Sequence, residues 1–147
     1  MAKTAQKLTL AQFLPYQLSI TSNAVSDLIA RAYRGRFALK IPEWRVMAVL
    51  GEAASATQRE LVASTAMDKV TVNRASKALE DRGLIGRAPN AADGRSHHLA
   101  LTDTGRELYE QIVPMALSVE AELFSSEEAQ ALEAMLTRLR AKVADLG

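Results

Sequence analysis

The spacing of apolar residues along the chain predicts helices in its first third. From about Pro15 to Gly35, apolar side chains recur at steps of three, four or seven, which is typical of an amphipathic helix: Leu14, Leu18, Val25, Leu28, Ile29 and Ala32. A second helix is expected to begin at Pro42 and to end near Gly51, with an apolar face of Trp44, Met47, Ala48 and Leu50.

Capping signals mark the next two helices. Thr57 and Glu60 have the spacing of a capping box, which predicts a short helix running to about Ser64. Asp68 can cap the following helix, and Gly83 supplies the left-handed residue that ends it. The expected buried face of this helix is Val72, Ala75, Ser76 and Leu79. Two short helices joined by a few residues predict a helix-turn-helix.

After Gly83 the pattern changes to that of strands. Strands are expected at 84–88 and 95–101, and the segment between them, Pro89 to Gly94, is rich in turn residues. The pair therefore predicts a hairpin. The expected fold class is mostly α with a small β hairpin (α+β), with the helix-turn-helix directly before the hairpin.

The last third of the chain predicts two more helices. Thr102 caps a helix from Asp103 that continues, with a kink, through Pro114. A second capping box, Ser125 to Glu128, opens the last helix. Along it runs a narrow heptad pattern, here called the α6 seam: Ala129, Leu132, Leu136, Leu139, Val143 and Leu146. An apolar seam on a polar helix predicts a homodimer, because a second chain would cover it.

Composition excludes several classes of protein. The chain has 147 residues and no cysteine, which excludes disulfides, thiol redox sensing and thiolate zinc sites. No apolar run approaches the roughly 20 residues of a membrane span, so we expect a cytoplasmic protein with no membrane partner. Nucleophile elbows, phosphate loops and paired acids are absent from the sequence, so we expect neither an enzyme nor a cofactor.

Charge is distributed unevenly along the chain. Residues 1–58 carry seven Lys/Arg against three Asp/Glu, residues 59–106 eight against six, and residues 107–147 three against eight. A basic front and an acidic tail suit a protein that meets a polyanion with one end.

The helix after Asp68 has outward residues of the types that contact DNA in a recognition helix. Its outward positions on a 3.6-residue period, with their flanks at the first turn, are Lys69, Val70, Thr71, Asn73, Arg74 and Lys77. Arginine can bind guanine through two hydrogen bonds, asparagine can pair with adenine, methyl groups can contact thymine, and lysines can hold phosphates. At the end of the hairpin turn, Arg95 can enter the minor groove, with Asp93 orienting it.

The two histidines do not predict a metal site. His97 and His98 are neighbours on a strand and point to opposite faces, and no third ligand is near in sequence. We expect His97 to be partly buried and His98 to lie on the surface.

Three segments together resemble the signature of the multiple antibiotic resistance regulator (MarR) family: Leu79 to Ile85, Asp93 to Arg95, and Leu99 to Gly105. The order and spacing of the helices agree with that family over nearly the whole chain. Gly94 departs from it, since the family often has a second basic residue there.

The resemblance implies a dimeric winged-helix transcription factor, usually a repressor, that a small molecule releases from DNA. It implies one MarR-type domain over 1–147, with a DNA-binding lobe at 42–102 and dimerisation helices at 9–37 and 103–147. Double-stranded DNA with a palindromic operator is the expected partner. The oxidation sensors of the family use a cysteine in the first helix, which this chain lacks.

The resemblance also implies an effector site between the dimer helices and the DNA-binding lobe. Tyr16 and Trp44 could stack on an aromatic ring, and Arg45 or Arg34 could pair with an anion, which suits an aromatic acid or its coenzyme A thioester. For Trp44, packing in the core is the competing interpretation.

The rival hypothesis is a winged-helix module that only assembles proteins and does not bind DNA. Such a module would not need Asn73, Arg74, Lys77 and Arg95 on one side.

Overall fold

The computed structural model describes residues 5–88 and 97–147. In these two ranges the chain forms six α-helices, preceded by one short 3-10 turn at Leu10–Gln12. The helices are α1 Leu14–Phe37, α2 Ile41–Glu52, α3 Gln58–Thr65, α4 Lys69–Asp81, α5 Asp103–Leu123 and α6 Ser126–Leu146. Three strands accompany them: β1 Ala56–Thr57, β2 Ile85–Arg87 and β3 His98–Leu101.

The strands form one antiparallel sheet in the order β1-β3-β2. Ile85 pairs with Leu101 in the predicted hairpin, and Thr57 pairs with His98 in an additional strand. The fold class is therefore the one predicted, a mostly helical winged helix-turn-helix. β1 is a strand that the sequence pattern did not predict, because two residues are too few to show an alternation.

Side-chain caps begin most helices where the sequence predicts them. The Thr57 hydroxyl accepts from the Glu60 amide, and the Glu60 carboxylate accepts from the Thr57 amide, both at 3.1 Å. Ser125 and Glu128 make the same reciprocal pair at 3.0 and 3.2 Å. Thr102 accepts from the Gly105 amide at 3.0 Å. These bonds satisfy amides that have no partner within the helix, which explains why the boundaries are sharp.

Two glycines set the junction between α4, the sheet and α5. Gly83 follows the end of α4 with a φ of 70°, the left-handed conformation that glycine adopts without steric cost. Gly105 lies directly against the backbone carbonyl of Leu84, so that a Cβ there would overlap it. The Thr102 hydroxyl donates to the Gly83 carbonyl at 2.6 Å. The start of α5 is thus fastened to the turn after α4.

The core lies among α1, α2, α3, α4, the sheet and the first half of α5. Its largest fully buried side chains are Tyr33, Leu39, Met47, Leu50, Leu61, Leu79 and Ile112. Pro114 lies inside α5, and the helix continues through it to Leu123 as predicted. No described helix combines the length and the apolar character that crossing a membrane requires.

The last helix stands outside this core. None of its residues is buried. Leu132 and Leu139 have 39% and 42% of their surface exposed to water, and Val143 has 62%. The apolar end of α1 is similarly exposed, since Leu14 and Leu18 retain 73% and 47%. Both ends of the chain therefore present apolar side chains that the rest of the described protomer does not cover.

Candidate nucleic-acid interface and effector cleft

Helix α4 divides cleanly into a packed face and a free face. The predicted buried residues, Val72, Ala75, Ser76 and Leu79, are all buried, and the helix packs on α2 and α3. On the opposite side Val70 is 58% exposed, and Asn73, Arg74 and Lys77 are also exposed. Lys69 is exposed at the first turn and Thr71 is half-buried. The free side of α4 thus presents five of the seven predicted DNA contacts, and Thr71 lies at its edge, partly covered.

The first turn of α4 is held by Asp68. Its Oδ1 accepts from the Thr71 amide at 2.7 Å, and this hydrogen bond lowers the pKa of the Asp68 carboxyl. This cap fixes the start of the helix at Lys69. The buried face that packs on α2 and α3 determines which side chains of the helix face outward.

Lys77 has one acidic neighbour on its own helix. Its Nζ lies 3.9 Å from Oδ1 of Asp81, and the two side chains are 80% and 68% exposed. A pair that is this open to solvent is weak, so it competes little with a phosphate for the lysine.

The base of the hairpin is described, and its tip is not. The Ala88 amide donates to the His98 carbonyl at 2.7 Å, just beyond β2. Arg87, at the end of β2, is exposed. Arg95 and Asp93 lie outside the described residues, and their expected roles stay predictions.

The prediction for the histidines is wrong in both places. His97 is exposed and precedes β3, whereas His98 is half-buried within it. The reason is β1, which pairs beside His98 and leads directly into α3. The His98 Nδ1 atom is buried without a hydrogen-bond partner among the described residues, as is Oε1 of Gln58.

A cleft of about 440 Å³ opens between α1 and α2. Its lining comprises Ser22, Asn23, Ser26, Asp27, Ile41 and Arg45. A guanidinium nitrogen of Arg45 is 3.5 Å from the Ser26 hydroxyl. One cation, the Asp27 carboxylate and several neutral hydrogen-bonding groups therefore line the same space. Of the four residues predicted to bind an effector, Arg45 is the one in this lining.

The other three predicted residues have different surroundings. The Trp44 ring stacks on Tyr109, with centroids 5.9 Å apart, and tilts against Tyr33 at 5.6 Å. Trp44 therefore packs three helices together, as its competing interpretation expects. Nη2 of Arg34 lies 3.8 Å from Oδ1 of Asp27. Tyr16, near the start of α1, is 37% exposed.

Sequence reasoning missed most of the cleft. Ser22 and Ser26, like Asn23 and Asp27, are four residues apart on α1, so they form a polar stripe along one side of the helix. That stripe is a signal that could have indicated the cleft. The stack around Trp44 has no comparable local signal, because Tyr109 is distant in sequence.

Comparison with known proteins gives consistent results. A model of the MarR family matches residues 39–96. The transcriptional regulator TtmR of Methylorubrum extorquens is 33% identical over 100 residues, which are 66% of this chain and 51% of TtmR. The matched segment thus spans about half the length of that relative.

Solved structures extend the similarity to nearly the whole chain. A MarR/EmrR family transcriptional regulator from Acinetobacter superimposes with a TM-score of 0.84 at 28% identity, covering 94% of this chain and 99% of that one. BpsR of Bordetella bronchiseptica, whose DNA binding is regulated by 6-hydroxynicotinic acid, has a TM-score of 0.80 at 20% identity, covering 92% and 98%. In its signature segments and its three-stranded winged fold, the chain is thus similar to MarR-family transcriptional regulators over nearly its whole length.

Proposed function

We propose that the protein is a cytoplasmic, homodimeric repressor that binds a palindromic operator in double-stranded DNA and leaves it when a small effector binds. The observation that carries this proposal is the division of α4 into a packed face and a free face. A helix-turn-helix protein places such a helix in the major groove, with its free face toward the base edges.

The free face offers one group for each kind of DNA contact. Arg74 can make two hydrogen bonds to a guanine, and Asn73 can make two to an adenine. The methyl groups of Val70 and Thr71 can contact a thymine methyl. Lys69 and Lys77 bind phosphates, and Arg95 enters the minor groove beside the hairpin.

A homodimer follows from the exposed apolar residues at both chain ends. The α6 seam and the start of α1, within 103–147 and 9–37, would cover each other's apolar surface across a two-fold axis. Two α4 helices would then read two half-sites about 10 bp apart, because both must enter the major groove from the same side of the duplex. The lobe at 42–102 carries the contacts.

The DNA contacts are tested on an operator that the wild-type protein selects from random duplexes. Alanine at Asn73 or Arg74 should weaken binding to that operator by about 1–3 kcal/mol and relax its sequence preference. Alanine at Lys77 should weaken all duplexes alike and lower the salt slope by about one. Alanine at Arg138, on α6, is the control for losing a cation elsewhere.

Unchanged operator affinity in a protein that lacks both Arg74 and Arg95 would refute the interface. A wild type that selects no sequence, while still forming dimers, would favour the rival assembly module.

The proposed effector is a small aromatic acid or its coenzyme A thioester, with its anionic group bound by Arg45 in the cleft. The cleft volume lies in the range of about 300–1,000 Å³ that is typical of small-molecule sites, and the lining provides hydrogen-bond partners beside the cation. BpsR, which shares the fold, is regulated by an acid of this kind. Tyr16, Arg34 and Trp44 stay predicted contacts.

Trp44 is the only tryptophan, which makes ligand binding observable. Aromatic acids and their thioesters should change its fluorescence in a saturable manner and release the selected operator. Arg45→Met should lose both responses to the acids, whereas Arg31→Met, also exposed, should keep them. Release by a non-aromatic metabolite alone would remove the aromatic acid from the proposal.

A further inference from the structure

Arg82 joins two helices that are far apart in sequence. It is the residue directly after α4, and its guanidinium reaches the end of α1. Nη1 donates to the Ala38 carbonyl at 3.0 Å, and Nη2 donates to the Phe37 carbonyl at 2.9 Å. Both nitrogens of one planar group thus bind two successive carbonyls across 44 and 45 residues.

The carbonyls that Arg82 binds are at the point where α1 ends. Phe37 is the last helical residue, and Ala38 follows in the left-handed conformation with a φ of 53°. The last carbonyls of a helix have no partner within it and carry the negative end of its dipole. A cationic fork is therefore well matched to this site.

The two connected helices otherwise pack mainly on different neighbours. Helix α1 packs on α5, whereas α4 packs on α2, α3 and β2. The two hydrogen bonds of the Arg82 guanidinium, here called the Arg82 fork, therefore directly connect the helix that would dimerise with the helix that would read DNA.

We propose that Arg82 is a positioning residue that holds α4 in a defined direction relative to α1. This inference rests on the proposed function, in which α4 is the recognition helix. It assigns to Arg82 no contact with DNA, although the residue is exposed and cationic. The loss of the fork should therefore disorder the placement of α4 and weaken specific binding, without removing a phosphate contact.

The first experiment measures the placement without DNA. The chain contains no cysteine, so spin labels can be attached at Gly35→Cys on α1 and Asn73→Cys on α4. A Cβ at Gly35 meets nothing within 4 Å, and Asn73 is exposed, so both sites tolerate a label. Labelled protein is mixed with excess unlabelled protein, and the distance between labels within a protomer is measured by pulsed electron resonance.

In this experiment Arg82→Met should at least double the width of the distance distribution, and Arg82→Lys should lie between it and the wild type. Arg31→Met, which removes another exposed cation from α1, should leave the width unchanged. A wild-type distribution in both Arg82 variants would reduce the residue to a helix cap and overturn the proposal. Should Arg82→Met fail to fold, Arg82→Lys decides the question alone.

The second experiment compares operator binding at several salt concentrations. Arg82→Met should bind the selected operator about tenfold more weakly than the wild type, with the same salt slope, because no phosphate contact is lost. A slope lower by about one would show that Arg82 touches the DNA backbone, contrary to the proposal. A wild type that selects no operator would refute the proposed function, whereas the spin-label distances would still test Arg82.

Discussion

The α6 seam gives the most direct test of how this protein assembles. Replacing Leu132 and Leu139 by aspartate places two charges on the seam of each protomer. In the single chain, 39% and 42% of the surface of these leucines is exposed, so about two fifths of each side chain is left for a second protomer to cover. The substitutions should remove this apolar contact between two protomers.

The size of the effect follows from the area that remains to be covered. Full burial of a leucine side chain is worth about 1.5–3 kcal/mol, and about two fifths of that remains for each of these residues. Two residues on each of two protomers therefore contribute roughly 2.5–5 kcal/mol, before the cost of removing a carboxylate from water. The dimer dissociation constant should rise by about two to four orders of magnitude.

Sedimentation equilibrium over a range of protein concentrations measures this constant. Ala134→Asp with Ala141→Asp is the matched control, because it adds the same charge on the opposite side of the exposed helix. Circular dichroism confirms that each variant keeps its helices. A wild type that is monomeric at micromolar concentration would refute the reasoning, as would a seam variant that dissociates no more readily than the control.

Two further predictions concern stability. Gly105→Ala should destabilise the fold by about 1–3 kcal/mol or more, because its Cβ would overlap the Leu84 carbonyl. The control, Gly35→Ala, should be neutral or stabilising by up to about 1 kcal/mol. Equal urea midpoints for the two variants would contradict this prediction. The pKa of Asp68 is lowered by the Thr71 amide, so the stabilising effect of its charge is complete above the unfolded pKa and is lost as the pH falls through the folded one. Asp68→Asn retains an acceptor without a charge, so its deficit in melting temperature should shrink from pH 7 to pH 3, and a constant deficit would count against the cap.

Local signals account for most of what the sequence could predict. Thr57 with Glu60, Asp68, and Ser125 with Glu128 each act within four residues, so their spacing is enough to locate the start of a helix. The free face of α4 follows in the same way from helical periodicity. These features depend little on the rest of the fold.

The features that the sequence could not predict depend mostly on long-range contacts. The position of His98 depends on β1, which becomes a strand only by pairing with β3 some 40 residues later. Arg82 is part of the family signature, but nothing nearby in sequence indicates that it binds the end of α1. The stacking of Trp44 on Tyr109 can be predicted only once the position of α5 is known.

The exposed α6 seam also affects how operator occupancy would depend on the concentration of the protein. If the seam closes only between two copies and the operator binds only the pair, the active species forms in proportion to the square of the protomer concentration whenever dimers are scarce. Halving synthesis would then lower operator occupancy by up to fourfold, and doubling it would raise occupancy steeply until the site saturates. Through the exposed α6 seam, operator occupancy would thus depend on the protomer concentration more steeply than in linear proportion.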